Sequence, residues 1–200
     1  MKNTPPIAII LNGPPGSGKD EGAKTIIAHD PIHAKHLEFK TQLFEHTIDL
    51  FEIDADLFYS LYNDRRTKEE PSIHLTLDGV ELFSPREALI HTSENVYKPR
   101  YGKDYFGECA ARSIATGCIN VFSDGGFREE LNPVIRMVDG RVALIHLHRE
   151  GCDFSKDSRD YVLVDNTLTF NITNYGNESY YTEIINIYNY VKSYFWGSKI

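Results

Sequence analysis

A glycine-rich segment near the N-terminus has the residue types and the spacing of a phosphate-binding loop. The sequence from Gly13 to Lys19 is Gly-Pro-Pro-Gly-Ser-Gly-Lys. Glycines let backbone N–H groups come close to phosphate oxygens, and the lysine adds a mobile positive charge. We therefore expect nucleotide phosphates to bind here. The residues expected to form the phosphate site are Gly13, Pro14, Gly16, Ser17, Gly18, Lys19 and Asp20.

The position after the lysine departs from the usual loop pattern. Ser or Thr normally stands there and its hydroxyl binds magnesium, whereas this chain has Asp20 followed by Glu21. Two carboxylates beside bound phosphates would repel them unless a cation lay between. We therefore expect Mg²⁺ near Asp20. The structural alternative for the whole segment is an ordinary glycine turn between a strand and a helix.

The segments on either side of the loop have the hydrophobic patterns that a phosphate site needs. Residues 7–12 form an apolar run without helical periodicity, which predicts a buried strand, and residues 19–28 predict a helix. Strands and helices alternate along the rest of the chain, which indicates a parallel sheet with helices on both faces. Further strands are predicted at 35–39, 118–123, 141–148 and 168–172, helices at 41–51, 54–63, 102–117, 127–137 and 181–195, and a β-hairpin at 73–83 before a helix start at Ser84-Pro85.

A second candidate site lies at Asp124, where the predicted strand at 118–123 ends. Ligands of open parallel sheets bind outside the carboxyl ends of the strands. A carboxylate at that place is suited to hold magnesium or to position an acceptor. The structural alternative is a turn aspartate before Gly125-Gly126.

Arginines near the predicted ends of strands and helices form a third group of candidates. A guanidinium binds phosphate through two parallel hydrogen bonds. We expect at least two of the group to contact anions, although each one alone is more typical of a solvated surface. Arg86 and Arg128 are assigned to the acceptor phosphate or the transferring group, and with Lys19 and Asp124 they are the candidate catalytic residues. The whole group is Arg86, Arg100, Arg128, Arg149 and Arg159.

Composition and charge argue against several classes of protein. The chain has 200 residues, of which 41% are hydrophobic and 25% charged, which predicts one soluble domain spanning 1–200. A net charge of −8 argues against a nucleic-acid polymer as partner, because such proteins need a basic face. The cysteines lack a C-x-x-C spacing, and no segment resembles a signal peptide or a membrane span. We expect a cytoplasmic protein that binds small-molecule nucleotides and no membrane; a homodimer stays open.

The loop with its Gly-Lys-Asp ending resembles the deoxynucleoside monophosphate kinases of bacteriophages. Other segments resemble that family in the same order along the chain. They are 38–43, 84–89, 91–94, 102–106, 121–124 with Arg128, and 145–149. Glu21, Ser123 and the spacing between Asp124 and Arg128 depart from the family pattern.

This resemblance implies a P-loop kinase of three α/β/α layers around a five-stranded parallel sheet. It implies an acceptor-binding insertion at about 40–102 and a lid at about 149–160. The implied reaction moves the γ-phosphoryl of ATP to a deoxynucleoside monophosphate with Mg²⁺, in the host cytoplasm if the chain is phage-encoded. Arg149 would contact ATP, and Asp20 and Asp124 would bind the metal. The residues implied for the acceptor are Phe39, Lys40, Arg86, Tyr105, Asp124 and Arg128.

Several alternatives remain open at this point. Phe39 and Tyr105 are suited equally to core packing and to stacking on a nucleobase. The chain could be a P-loop kinase for another small phosphorylated acceptor, such as phosphomevalonate or dephospho-coenzyme A. It could also be a non-catalytic nucleotide-binding protein. A switch GTPase is disfavoured, because the sequence lacks the Asn-Lys-x-Asp motif for guanine.

Overall fold

A computed structural model describes residues 4–155, 157 and 159–197. The chain divides into two compact units. The first unit comprises Met1–Phe39 and Gly107–Ile200, and the second comprises Lys40–Phe106. The second unit covers the segment predicted as an insertion. Among the described residues, no helix is long and apolar enough to cross a membrane.

The first unit contains a five-stranded sheet in which every pair of neighbours is parallel. The strand order is β2-β3-β1-β4-β5. In register, Ile9 of β1 lies opposite Val121 of β3 and Ala143 of β4. Because parallel strands end at a common edge, the segments that follow β1, β3 and β4 meet there. The strands are β1 (Ile7–Asn12), β2 (Ala34–Leu37), β3 (Ile119–Phe122), β4 (Val142–His148) and β5 (Leu168–Thr173).

Helices cover both faces of this sheet and give it three layers. All residues of β1 are buried, as its unbroken apolar run predicts for a central parallel strand. One face packs against α1 (Lys19–His29) and α8 (Glu178–Trp196) through residues such as Ile26 and Tyr188. The other face packs against α7 (Arg128–Met137), where Leu131 and Val134 are fully buried.

The helix predicted at 102–117 is shorter in the structure, where it spans Tyr105–Arg112 and is numbered α6. The reason lies in Asn120, whose side chain accepts from the N–H of Ala115 over 2.9 Å and donates to its carbonyl over 3.1 Å. These bonds hold the backbone of Ala115 in a turn that leads into β3.

The second unit is helical and has its own apolar core. Phe44, Phe58 and Leu75 are buried in this core. The predicted helix start at Ser84 is confirmed, because Ser84 and Glu87 form a reciprocal capping box. The helices are α2 (Lys40–Leu50), α3 (Ala55–Asn63), a 3₁₀ turn (Thr67–Glu69), α4 (Pro85–Ile90), a π-helix (His91–Tyr97) and α5 (Lys98–Tyr101).

The β-hairpin predicted at 73–83 is wrong, since none of these residues forms a strand. Bonds from the N–H of Ser72 to the carbonyl of Phe83 and from the N–H of Phe83 to that of Leu75 close an irregular loop instead. Asp78 accepts the N–H groups of the next turn. Leu75 is buried in the core of the second unit, but Val80 is 83% exposed, so the alternating apolar residues do not all face a core.

The segment predicted as a lid, 149–160, has no helix or strand among its described residues. Lys156 and Ser158 of that segment lie outside the described residues. Val162 lies just beyond this segment, and its carbonyl forms a hydrogen bond of 2.9 Å with the ring of His146 in β4. Tyr161 donates over 3.0 Å to the carbonyl of Leu147. The end of the predicted lid is therefore attached to β4.

Candidate active site

The glycine-rich loop lies at the carboxyl edge of the sheet, between β1 and α1. Its neighbours are the segments that follow β3 and β4, because those strands pair with β1 on either side. Asp124 follows β3 and Arg149 follows β4, so both lie at the edge that carries the loop. The guanidinium of Arg149 donates to the carbonyl of Gly16 over 3.3 Å. Ligands of parallel α/β sheets bind at this edge.

Two residues from the far end of the chain hold the loop in shape. Asn174 donates over 2.9 Å to the carbonyl of Ser17, and Tyr180 donates over 2.8 Å to the carbonyl of Gly18. Gly18 has φ +103°, and a Cβ at this residue would overlap the amide of Asn174. The loop is therefore preformed by protein contacts. Neither residue was among the predicted site residues, and Tyr180 lies just before the helix predicted at 181–195.

The start of the loop is packed so closely that only glycine fits. A Cβ at Gly13 would lie 2.6 Å from the carbonyl oxygen of Leu147 and 2.8 Å from the hydroxyl oxygen of Ser17. The Ser17 side chain is fully buried, and its hydroxyl has no hydrogen-bond partner among the described residues. Because an unsatisfied buried hydroxyl is costly, it is the kind of group that a bound ligand or water completes.

The ammonium group of Lys19 folds back onto the loop. Its Nζ donates to the carbonyl of Gly13 over 2.6 Å and to the carbonyl of Pro14 over 2.9 Å. Burial lowers the pKa of Lys19 from 10.5 to about 8, and the nearby guanidinium of Arg159 acts in the same direction. The carboxylates of Asp20, Asp157 and Asp124 oppose this shift. The loop lysine thus lies in a cluster of charges of both signs, to which a polyanion would add negative charge.

Asp124 and Phe39 are brought together in the structure. One carboxylate oxygen of Asp124 accepts the backbone N–H of Phe39 over 2.9 Å, which joins the end of β3 to the segment after β2. The ring of Phe39 stacks on Phe122, with centroids 4.7 Å apart, and Phe39 is only 3% exposed. Of the two roles left open for Phe39, its surroundings favour core packing.

A polar group that the sequence did not suggest lies beside Asp124. The hydroxyl of Ser123 forms a hydrogen bond of 2.8 Å with Nε2 of His36 and lies 3.5 Å from a carboxylate oxygen of Glu38. Ser123 was noticed only as a departure from the family pattern. The pairing of β2 with β3 brings these side chains together, because His36 lies opposite Val121 in register.

Arg128 and Arg86 belong to different units and differ in their surroundings. Arg128 is the first residue of α7 and has an exposed side chain at the carboxyl edge of the sheet. In the second unit, Nε of Arg86 lies 3.0 Å from a carboxylate oxygen of Glu69, an ion-pair distance without hydrogen-bond alignment. Arg128 is an exposed residue, and 42% of the Arg86 side chain is exposed although its Nε is buried.

The other two acceptor candidates, Lys40 and Tyr105, also lie in the second unit. Nζ of Lys40 is 5.9 Å from the ring centroid of Phe44. The hydroxyl of Tyr105 forms a hydrogen bond of 2.8 Å with Nε2 of His46. Tyr105 also belongs to a ladder of stacked rings with His46, Tyr97 and Tyr101, in which His46 and Tyr97 are 4.0 Å apart and nearly parallel. This ladder presents polar edges as well as aromatic surface.

The two predicted metal ligands provide the donor atoms that Mg²⁺ prefers. Asp20 is exposed at the start of α1, and Asp124 is half-buried at the end of β3. Mg²⁺ commonly binds through one or two carboxylates together with phosphate oxygens of a substrate. No group of three or more His, Cys, Asp or Glu that could hold a metal occurs within the described ranges. The donor set therefore fits a magnesium ion that is bound jointly with nucleotide phosphates.

Comparison with known proteins gives a match of fold. No protein-family model matches the sequence, and no curated protein sequence matches it. Among solved structures, a protein of Chloroflexus aurantiacus J-10-fl described provisionally as a kinase matches with a TM-score of 0.51 and 11% identity over 96% of this chain and 99% of that one. A sugar kinase from Janibacter sp. HTCC2649 gives a TM-score of 0.41 and 10% identity over 92% of each chain. The protein APE1195 gives 0.47 and 14% identity over 96% of this chain and 97% of that one.

At 11% identity, the likeness to the Chloroflexus protein is a likeness of fold. The match extends over 96% of this chain. The predicted fold class, a three-layer α/β structure around a five-stranded parallel sheet with a P-loop-like turn after β1, is confirmed.

Proposed function

We propose that this chain is an ATP-dependent phosphotransferase for a small phosphorylated acceptor, and specifically a deoxynucleoside monophosphate kinase. The observation that carries the proposal is the meeting of three strand ends. The loop with Lys19 follows β1, Asp124 follows β3, and Arg149 follows β4 and bonds to Gly16 of the loop. A cation-lined glycine loop beside a strand-end carboxylate is the arrangement that phosphoryl transfer from a nucleotide requires.

The loop residues of this chain bind and orient the donor. N–H groups at the start of α1 and the ammonium of Lys19 attract the β- and γ-phosphates. For this, Lys19 exchanges its bonds to the carbonyls of Gly13 and Pro14 for bonds to phosphate oxygens. Arg149 lies close enough to the loop to contribute a further positive charge. Asp20 and Asp124 hold Mg²⁺, which when bound supplies charge neutralisation between the phosphates.

The acceptor assignment rests on the resemblance to the phage kinases. Arg128 at the start of α7 and Arg86 in the second unit bind the acceptor phosphate or the transferring group. Lys40 and Tyr105 bind the rest of the acceptor. Support for a planar acceptor comes from the ring ladder that includes Tyr105, since a partly exposed stack of rings suits a nucleobase.

The test is ADP release from ATP and Mg²⁺ with each ribo- and deoxynucleoside monophosphate in turn. We expect turnover with at least one deoxynucleoside monophosphate and loss of most turnover in Lys19→Ala. Lys24→Ala is the matched control, because Lys24 lies on the same helix and pairs with Glu21 at the surface. ATP binding without ADP release for any nucleotide would favour a non-catalytic binding protein. ADP release with phosphomevalonate or dephospho-coenzyme A, and with no nucleotide acceptor, would identify a kinase for that acceptor instead.

A further inference from the structure

Arg159 is held next to the glycine-rich loop by backbone contacts of the residues around it. The side chain of Asn12, the last residue of β1, donates to the carbonyls of Gly125 and Asp160 over 3.0 and 3.2 Å. Asn12 also accepts the N–H of Val162 over 2.8 Å. These bonds fix the chain just after Arg159 to the ends of β1 and β3. Arg159 therefore occupies a defined position at the carboxyl edge of the sheet.

The side chain of Arg159 runs along the turn that follows Asp124. A Cβ at Gly126 would overlap the methylene groups of Arg159, so a glycine is needed for this contact. The guanidinium is near enough to Lys19 to lower the pKa of that lysine. Arg159 and Lys19 thus place two positive charges close to each other at this edge of the sheet.

Asp157 is the carboxylate that pairs directly with Arg159. Both of its carboxylate oxygens bind the guanidinium of Arg159, from Nε over 2.8 Å and from Nη2 over 2.6 Å. Oδ1 also accepts the backbone N–H of Arg159 over 3.0 Å. The Asp157 side chain is only 8% exposed. By contrast, the Glu108 side chain of the surface pair with Arg136 is 41% exposed. The Asp157 carboxylate is therefore largely removed from water, although 25% of the Arg159 side chain is exposed. Charge pairing is stronger away from water.

The geometry of this pair matches the way arginine binds phosphate. A guanidinium presents two parallel N–H groups to two oxygens of a carboxylate or of a phosphate. Asp157 therefore uses the donor groups that a phosphate would use. It also lies close enough to Lys19 to raise that lysine's pKa, against the effect of Arg159. One carboxylate thus acts on both positive groups beside the loop.

We propose that Asp157 is an internal counter-anion, which occupies the guanidinium of Arg159 in the ligand-free chain and which bound phosphate displaces. The inference rests on the proposed function, in which the phosphate belongs to a nucleotide. Asp157 acts through Arg159 and is a positioning residue. It keeps the arginine in place and screens it from Lys19, and in doing so it competes with the ligand.

The experiment measures the binding of inorganic tripolyphosphate by calorimetry, without Mg²⁺ and at fixed ionic strength. Asp157→Asn keeps the oxygen that accepts the N–H of Arg159 but loses the charge. We expect it to bind tripolyphosphate about fivefold more tightly than the wild type. Asp153→Asn is the control, because it removes the same charge from an exposed position in the same segment. It should change binding less than about twofold.

A second pair of variants ties the effect to Arg159. In an Arg159→Gln background, Asp157→Asn should bring no gain in tripolyphosphate affinity. Unchanged or weaker tripolyphosphate binding in Asp157→Asn, an equal gain in Asp153→Asn, or a gain that survives Arg159→Gln would each overturn the proposal.

The same variants, titrated with ATP, separate this proposal from the proposed function. If tripolyphosphate shows the expected gain but ATP does not bind to any variant, the counter-anion stands and the nucleotide function fails. If ATP binds to the wild type and Asp157→Asn does not increase the affinity for either ligand, the nucleotide function stands and the counter-anion proposal is refuted.

Discussion

The hydroxyl of Tyr180 donates a hydrogen bond of 2.8 Å to the carbonyl oxygen of Gly18, which joins the C-terminal helix to the residue that precedes α1. Tyr180 is 1% exposed, so this bond is made away from water. The same hydroxyl lies against Gly22 one turn later, where a Cβ would come within 2.6 Å of it. The end of the chain thus determines how the glycine-rich loop enters its helix.

Removing this hydroxyl should weaken both the fold and the phosphate site. Tyr180→Phe leaves the carbonyl of Gly18 without its partner, and we expect a loss of about 1–3 kcal/mol in the free energy of unfolding. Nucleotide affinity should fall as well, because the loop loses one of its fixed points. Urea unfolding and calorimetry measure the two effects. Tyr181→Phe is the control, since Tyr181 is 41% exposed, and an equal loss there would contradict this role.

Nucleotide binding should be coupled to proton uptake by Lys19. In the ligand-free chain, burial lowers the pKa of Lys19 to about 8, so above that pH the amine is mostly neutral. Negative phosphates favour the charged amine and raise its pKa. Binding at about pH 8–9 should therefore take up a proton. Calorimetry in buffers of different ionisation enthalpy measures this uptake, which should vanish in Lys19→Ala. Equal heats in all buffers for the wild type would rule it out.

Asp124→Asn should lower turnover much more than nucleotide affinity measured without Mg²⁺. An asparagine oxygen still accepts the N–H of Phe39, so the hydrogen bond between the end of β3 and the segment after β2 is kept. What is lost is the charge that would hold the metal or position the acceptor. Steady-state rates across a magnesium titration, together with ATP binding in a chelator, provide the comparison. Ser123→Ala alters the neighbouring residue without changing charge and is the control; wild-type turnover in Asp124→Asn would exclude the metal role.

Arg86→Lys and Arg128→Lys should each lose activity although the charge is kept. A lysine cannot reproduce the two parallel hydrogen bonds of a guanidinium. Arginines that stabilise a transferring phosphoryl group contribute about 10³–10⁵ in rate. A contact made in the transition state lowers kcat, whereas a contact to the bound acceptor raises only its KM. Arg136→Lys, at the surface pair with Glu108, is the control. Full kcat and KM in both variants would place Arg86 and Arg128 outside the site.

Asp30 should contribute stability that is lost in acid. It accepts hydrogen bonds from Lys192 over 2.6 Å, from Tyr188 over 2.7 Å and from His33 over 2.9 Å. Burial acts to raise the pKa of Asp30, but these hydrogen bonds outweigh it and hold the pKa well below the ordinary 3.8. The native state thus favours the ionised form. Its stabilising effect is complete above the unfolded pKa and declines as the pH falls below about 4.

Asp30→Asn should therefore cost about 2–3 kcal/mol at pH 7, and the difference from the wild type should shrink at pH 3. Urea unfolding at the two pH values measures this. Asp139→Asn is the matched control, since its side chain is 88% exposed and its positive φ suits asparagine. A cost that stays the same at both pH values would show that the carboxylate charge of Asp30 plays no part.

Local patterns in the sequence were sufficient for the places of the five strands along the chain and for the phosphate loop. The apolar run of β1, the glycines from Gly13 to Gly18 and Lys19 follow one another along the chain, so the motif is recognisable without knowledge of any distant contact. The capping box at Ser84 is equally local. The predicted hairpin at 73–83 failed because alternation of apolar residues does not show whether a core lies opposite them, and the exposed Val80 has none.

The tertiary structure alone decided which distant side chains complete the site. Asn174 and Tyr180 are 157 and 162 residues away from the loop carbonyls that they bind. Asn12 reaches Asp160 only because β1 lies between β3 and β4. A polar residue after a strand has many potential hydrogen-bond partners in the sequence. The strand order decides which of them lie next to it in the folded chain. The sequence thus determined that a phosphate loop is present, and the packing of the chain determined which residues hold it and which charges face it.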